Sequence, residues 1–405
     1  MNYEQAAEKL KKYDQMQILR YYDELTDEQK GILLDEIDRT DFDAIFGQPA
    51  DVSTSVIEPM GAMKISEIEA NRSRLEEKGL ECIRAGKAAA LLLAGGQGTR
   101  LGISGPKGSF NIGITKDLYI FECLINNLMA VTKKAGCWIP LFIMTSNKND
   151  KETRAFLSEH NYFGYDKDHI YFFVQDMAPS TDFNGKIYME SKYHMALSPN
   201  GNGGWYSSLK NAGYEEVLDK LGVEWINIFA VDNVLQKMMD PAFIGATLES
   251  GSEVGSKVIA KAYPEENVGV MCYRDGHPSI VEYYDLTEEM RYQKNENGDL
   301  AYSSGVILNY LFYVPALKRI VDKKLPLHIA KKKIPYMDEN GTFIKPEEPN
   351  GNKYENLVLD MIEMMDGCLA FEVDRKSEFA PIKNMHGVDS LDSAREMLKA
   401  YGVEL

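Results

Sequence analysis

Apolar positions recur along this chain with two periods, and the change between them divides it. Up to about residue 85 the spacing is helical: Ala6, Leu10 and Tyr13 fall at i, i+4 and i+7, and Ile65, Ile68 and Leu75 share one face of a later segment. Thr26 followed by Gln29 forms a capping box for a helix over residues 27–38. Between these stretches, residues 47–61 hold Pro49, Pro59 and the run VSTS, which predict an irregular connection. From Lys87 the rhythm changes. The run AAALLLA predicts a strand buried on both faces of a sheet. A glycine-rich loop follows, then a helix over 118–134, the strand IPLFIMT, a helix over 150–159, the strand IYFFV and, further on, the strand WINIFAVD. Strands alternating with helices predict an α/β chain with a mostly parallel sheet, whose ligands bind beyond the carboxyl ends of the strands. Beyond Glu253 the runs EVGSKVIAKAY, NVGVMCYR and SIVEYYDL, separated by turns such as Asp275-Gly276, read as further strands, and residues 390–401 as a last helix. The organisation expected is a helical segment over 1–85 packing on the core, an α/β body over 86–386 and a helical tail over 387–405.

The loop after the first buried strand carries the clearest chemistry. It reads Ala94-Gly95-Gly96-Gln97-Gly98-Thr99-Arg100-Leu101-Gly102, then Gly105-Pro106-Lys107-Gly108. Glycines let backbone approach a ligand closely, and successive N–H groups form a concavity for anions. Arg100 adds a planar fork for phosphate oxygens and Lys107 a point charge. The spacing fits neither familiar phosphate loop. Gly96, Gly98 and Gly102 give G-x-G-x-x-x-G rather than G-x-G-x-x-G, and Pro106 and Gly108 flank the lysine where a P-loop needs Gly and Ser/Thr. A tight glycine-rich turn is the purely structural alternative, but packing alone does not call for two basic residues there.

Composition narrows the partners. The 405 residues fit about two to three domains at ~100–200 residues each. Lys and Arg number 45 against 62 Asp and Glu, a net charge of −17, which excludes a nucleic-acid-coating protein. A small anionic ligand requires local cations gathered against that field. The longest apolar runs are seven residues, far short of the ~20 that span a bilayer, and the first residues are charged with no apolar signal region. Five scattered cysteines and six scattered histidines argue against a disulfide framework or a zinc site and fit a reducing cytoplasm.

With the glycine loop in view, a family resemblance emerges. The loop, together with Gly185-Lys186-Ile187, Pro199-Asn200-Gly201-Asn202-Gly203-Gly204, Ala230-Val231-Asp232-Asn233, Val281-Glu282-Tyr283, Lys332-Lys333-Ile334-Pro335-Tyr336 and Glu378-Phe379-Ala380-Pro381-Ile382-Lys383-Asn384, resembles the UDP-N-acetylglucosamine pyrophosphorylase type of sugar-1-phosphate uridylyltransferase, in the UDP-sugar pyrophosphorylase group. These motifs stand in the family's order over about three quarters of the chain. The resemblance implies a Rossmann-like nucleotidyltransferase that transfers uridylyl from UTP to a sugar 1-phosphate, with Mg²⁺ as cofactor. It implies that Ala94, Gly95 and Gly96 contact uracil and ribose through backbone, that Gln175 reads the uracil edge, and that Gly201 helps enclose the base. Arg100 and Lys107 would hold the triphosphate, Lys383 would approach the phosphates from the second domain, and Asp232 would ligate Mg²⁺. Asn202 and Glu282 would contact sugar hydroxyls. Blander roles compete: Gln175 capping its strand, residues 201–204 a plain turn, Asp232 capping the next helix. The run Lys331-Lys332-Lys333 reads as a solvated face.

Two stretches depart from the N-acetylglucosamine pattern. Ser303-Ser304-Gly305-Val306 stands where those enzymes carry Asn-Ala-Gly-Asn, and Leu357-Val358-Leu359-Asp360 where they carry Phe-Val-Phe-Asp. Val306 thereby loses a polar partner for the sugar's acetamido group. N-acetylglucosamine 1-phosphate is the leading acceptor, with glucose 1-phosphate, galactose 1-phosphate or a broader set as alternatives. A catalytically silent nucleotide-binding protein is the alternative of another class; retention of Arg100, Lys107, Asp232 and Lys383 speaks against it. The residues beyond Asn384 leave room for a short helical tail but not for the carboxy-terminal β domain of longer relatives.

Overall fold

The computed structural model describes residues 1–47, 55–323 and 325–405. Its chain sorts into two units. One comprises Thr54–Gln175, Trp205–Asp322 and Met361–Leu405; the other comprises Met1–Ser53, Asp176–Gly204 and Lys323–Asp360.

The first unit is built on a ten-stranded sheet. Its elements are β1 (Ile57–Pro59), α1 (Ile65–Arg84), β2 (Ala88–Leu93), α2 (Ile120–Ala135), β3 (Leu141–Thr145), α3 (Asp150–Glu159), β4 (Ile170–Val174), β5 (Trp225–Ala230), α4 (Pro241–Ser250), β6 (Val254–Ala260), β7 (Val270–Arg274), β8 (His277–Val281), β9 (Ser304–Tyr313), β10 (Cys368–Glu372) and α5 (Leu391–Ala400). The strand order is β1-β7-β9-β5-β2-β3-β4, with β6 between β9 and β10 and β8 on β7. The run from β5 through β2 and β3 to β4 is parallel, as expected, and every residue of β2 is buried. The expected strands and helices occur, with ends shifted by a few residues. Thr26 and Gln29 make their capping box, on a helix spanning Asp27–Arg39. Asp275 and Gly276, at φ +51° and +81°, turn β7 back into β8.

Three features differ from the sequence reading. The ten-residue β9 was not foreseen; it runs antiparallel to both β5 and β6, and its residue Leu308 adopts φ +53° where the ladder shifts. Residues 48–54 lie outside the described residues, and the rest of the expected irregular connection contains β1, which pairs with β7 at the sheet margin. Pro59 is tolerated there because an edge strand needs bonds on one side only. The boundaries at 85 and 386 are also not those of the two units. The helix α1 packs on α4 within the sheet-bearing unit, because Gly79 and Gly245 let the two backbones meet. A Cβ on Gly79 would lie 1.9 Å from the Pro241 carbonyl oxygen, and one on Gly245 would lie 1.9 Å from that of Leu75.

The second unit joins the first helices to two later pieces of chain. Ala6, Leu10, Leu33 and Ile37 bury their apolar faces with Ile187, Met189 and Met195. Gln15 donates to the Gly185 carbonyl at 2.9 Å and accepts from the Ile187 N–H at 2.9 Å. Residues 181–182, 328–332 and 351–355 form a small antiparallel sheet. Lys331, Lys332 and Lys333 are exposed. Among the described residues, no helix is long and apolar enough to cross a membrane.

Candidate active site

The register of the parallel strands sets Leu93, Met144 and Ala230 side by side, with Val174 beside Thr145. The segments that leave these ends, beginning at Ala94, Ser146, Gln175 and Val231, therefore emerge along one margin of the sheet. The glycine loop is held there through its carbonyls. Asn149 donates from Nδ2 to the Ala94 and Gly96 oxygens at 2.9 and 3.2 Å, and the Ser146 hydroxyl donates to the Gly95 oxygen at 2.9 Å. Asn149 is itself fixed by accepting from the Ser146 N–H at 2.8 Å. The carbonyls of Ala94, Gly95 and Gly96 are thus all engaged within the chain. The loop then closes on itself: Lys107 N–H donates to the Gly96 oxygen at 3.1 Å and Gly98 N–H to the Gly105 oxygen at 3.0 Å. Gly102, at φ +77°, makes the turn that returns the chain toward Lys107.

Gln175 follows β4 and is 7% exposed. Its side chain lies against the loop, so close that a Cβ on Gly95 would come within 3.2 Å of its Oε1. Its backbone N–H donates to the Thr145 oxygen at 2.9 Å.

Cations collect at the same margin. The Lys107 ammonium stands 3.7 Å from the Asp232 carboxylate, with the two side chains 13% and 24% exposed. Burial is the main force lowering the Lys107 pKa below its usual 10.5; Asp232 opposes this, and Arg100 and Lys383 add to it by repulsion. Those three neighbours show that Arg100, Lys107, Asp232 and Lys383 share one electrostatic environment. Arg100 is exposed on the short turn Thr99–Leu101, whose Leu101 is buried, and Lys383 reaches Asp389 at 2.8 Å. Asp232 does not cap the next helix, because Asp240 accepts from the Ala242 N–H and serves as the N-cap of α4.

The segment after Asp232 is tied down by buried and half-buried polar groups that the sequence pattern does not single out. Asn227 accepts from the Met239 N–H at 2.6 Å, and Asn127 donates to the Val234 and Gln236 oxygens at 3.2 Å each. The fully buried Lys257 binds Glu378 at 2.7 Å, Asp240 at 2.9 Å and the Lys237 oxygen at 3.0 Å. Burial alone would lower the Lys257 pKa, yet the two carboxylates outweigh it and hold the ammonium charged. No periodicity marks such residues. The only sequence signal is a polar residue inside an otherwise apolar strand, as for Asn227 in WINIFA.

The remaining expected site residues are each held within their own unit. Glu282 follows β8 in the sheet-bearing unit; a Cβ on Gly269 would come within 3.4 Å of its carboxylate, and Gly269 accepts from the Val306 N–H at 2.9 Å. Gly201 and Asn202 belong to the other unit. Gly201, at φ +86°, lies so close to Asn356 that a Cβ would clash with its backbone, and Asn202 accepts from the Val358 N–H at 3.0 Å.

Asp232 suits a magnesium ion that keeps waters and substrate oxygens as its other ligands. Among the described residues, no group of three or more His, Cys, Asp or Glu is gathered to hold a metal without them.

Comparison with known proteins gives the chain a family. The family described as UTP–glucose-1-phosphate uridylyltransferase matches residues 45–399. The chain is 36% identical over 419 residues to the human UDP-N-acetylhexosamine pyrophosphorylase-like protein 1, covering 97% of this chain and 82% of that protein. It is 39% identical over 321 residues to the UDP-N-acetylglucosamine pyrophosphorylase of Saccharomyces cerevisiae, covering 76% and 67%. Its fold matches the uridine diphosphate N-acetylglucosamine pyrophosphorylase of Trypanosoma brucei, solved with an inhibitor, at a TM-score of 0.83 and 27% identity over 97% of this chain and 83% of that one. The chain belongs to the UTP–glucose-1-phosphate uridylyltransferase family.

Proposed function

We propose that this chain transfers uridylyl from UTP to N-acetylglucosamine 1-phosphate, releasing pyrophosphate and UDP-N-acetylglucosamine in a cytoplasmic setting. The observation that carries the reading is the desolvated Lys107–Asp232 pair, with Arg100 and Lys383 in its field, beside a glycine loop at the carboxyl ends of parallel strands. Relatives named for N-acetylglucosamine support the choice of sugar.

The bond that forms joins a sugar-phosphate oxygen to the α-phosphorus of UTP, and the α–β bridge breaks with its electrons leaving on pyrophosphate. The nucleophile is already an anion, so no general base is needed. The barrier is the approach of two polyanions, which positioned cations lower. In this reading, the backbone of Ala94, Gly95 and Gly96 and the side chain of Gln175 orient the nucleoside, and the family resemblance gives Gly201 the part of helping to enclose the base. Arg100 and Lys107 carry the triphosphate, Lys383 meets the phosphates at the reacting centre, and Asn202 and Glu282 hold the sugar. Asp232 would hold Mg²⁺, which when bound offsets charge on the phosphate oxygens.

A second reading, with glucose or galactose 1-phosphate preferred, rests on Val306, an apolar residue on β9 whose N–H donates to Gly269, the glycine near which the Glu282 carboxylate lies. Pyrophosphate release from UTP and Mg²⁺ over a panel of sugar 1-phosphates, with other nucleoside triphosphates as controls, tests both. N-acetylglucosamine 1-phosphate with UTP should give the highest kcat/KM. UTP binding without pyrophosphate release for any sugar phosphate would overturn the catalytic reading.

A further inference from the structure

The metal ligand and the cation of the reacting centre come from segments far apart in sequence, and one buried side chain joins them. Asn233, next to Asp232, is 2% exposed. Its Nδ2 donates to the Glu378 oxygen at 2.8 Å, and its Oδ1 accepts from the Ala380 N–H at 2.9 Å. Two backbone bonds flank this clamp. Ile382 N–H donates to the Asp232 oxygen at 2.9 Å, and Val234 N–H to the Ala380 oxygen at 3.3 Å. Asn233 thus fills the gap in a short ladder between residues 232–234 and 378–382, and that ladder delivers Asp232 at one side and Lys383 at the other. A short side chain carrying both a donor and an acceptor is required for the two contacts together. Aspartate keeps the acceptor and loses the donor, and an aliphatic residue loses both.

We propose that Asn233 is a positioning residue that sets the separation of Asp232 from Lys383, a role that rests on the phosphate and metal assignments above. It touches no substrate itself. Its amide fixes the register of two segments, and a misplacement of about 1 Å between reacting groups costs on the order of 10² in rate.

The test is a double-mutant cycle with Asn233→Ala, Lys383→Ala and the combined variant, reading kcat, the KM for UTP and thermal stability. Asn233→Ala should lower kcat about 10- to 100-fold, with the KM for UTP changed less than about threefold because the glycine loop and Gln175 are untouched. In the Lys383→Ala background the same change should lower kcat by less than about twofold, since no separation remains to set. Asn233→Asp should fall between wild type and Asn233→Ala. Full multiplication of the two single effects, or wild-type kcat in Asn233→Ala, overturns the positioning role. Wild-type kinetics in Lys383→Ala would instead remove the assignment beneath it. If the Asn233 variants do not fold, hydrogen exchange of the native chain decides. Adding UTP with Mg²⁺ should slow exchange in residues 231–236 and 378–384 together; protection confined to the first segment overturns the proposal.

Discussion

Lys107 and Lys383 bring like charges toward one small space, and each has a carboxylate within reach: Asp232 at 3.7 Å and Asp389 at 2.8 Å. The two lysines differ in burial, and so in what their loss should show. Lys383 is 43% exposed, so Lys383→Ala should leave the melting temperature near wild type while kcat falls on the order of 10²–10³. Lys107 is the desolvated one. Its pKa lies below the ordinary lysine value, so its charge is lost at a lower pH than a surface lysine's as the solution becomes alkaline. The alkaline limb of kcat/KM for UTP should therefore fall earlier than an unperturbed lysine allows. Lys107→Arg should move that limb upward, since a guanidinium stays charged throughout. The loop positions of Arg100, Lys107 and Asp232 were legible because each loop follows a buried apolar strand, whereas the roles expected of them came from the family resemblance. Asn149, Ser146 and Asn233 were not. Their roles are hydrogen bonds to carbonyls and amides on other segments, and Ser and Asn in loops carry no signal that separates such bonds from ordinary solvation.

At the level of elements, period was a dependable guide where a segment meets one environment along its length. The strand AAALLL is buried on both faces, and the helix Asp27–Arg39 is capped by its own residues, so local pattern and final structure agree. β9 defeats the pattern because it crosses several neighbours: it pairs with β5, β6 and β7, has Gly305 at its second position and carries Asn309 in its middle. The crossing of α1 and α4 was equally hidden, since Gly79 and Gly245 lower helix propensity and point away from a helix when read alone. Their value is in the close approach. Gly245→Ala gains about 1 kcal/mol of helix propensity, but sets a Cβ against the Leu75 carbonyl, which is backbone and has no rotamer to escape into. Overpacking of this kind costs about 1–3 kcal/mol, and with an unyielding neighbour the larger end applies. Urea denaturation should therefore show a net loss of about 2 kcal/mol; a stabilised variant would mean that the helices separate without cost.

At the scale of the molecule, chain order and spatial order part company. The second unit takes its helices from the amino terminus and its small sheet from residues 181–182, 328–332 and 351–355. It is fastened by bonds such as His194 to Glu36 at 2.6 Å and Gln15 to Gly185 at 2.9 Å, which link positions no periodicity connects. Boundaries drawn from changes of rhythm therefore missed it. In the sheet-bearing unit, Lys257 has the corresponding place, tying β6 to Asp240 and Glu378. Lys257→Met would leave two carboxylates facing each other's field, with Lys237 still 3.6 Å from Glu378, and should cost about 3–5 kcal/mol. Adding Asp240→Asn and Glu378→Gln should restore part of that loss in equilibrium unfolding, because the stranded charges then disappear.

β1 is a strand of three residues, Ile57, Glu58 and Pro59, hydrogen-bonded to β7 alone. A stranger strand arriving there meets a stub too short to template it, an imide nitrogen with no hydrogen to give, and a carboxylate. Lateral growth past β1 therefore finds no foothold, and on the other side of β7 the strand β8 carries a proline of its own, Pro278.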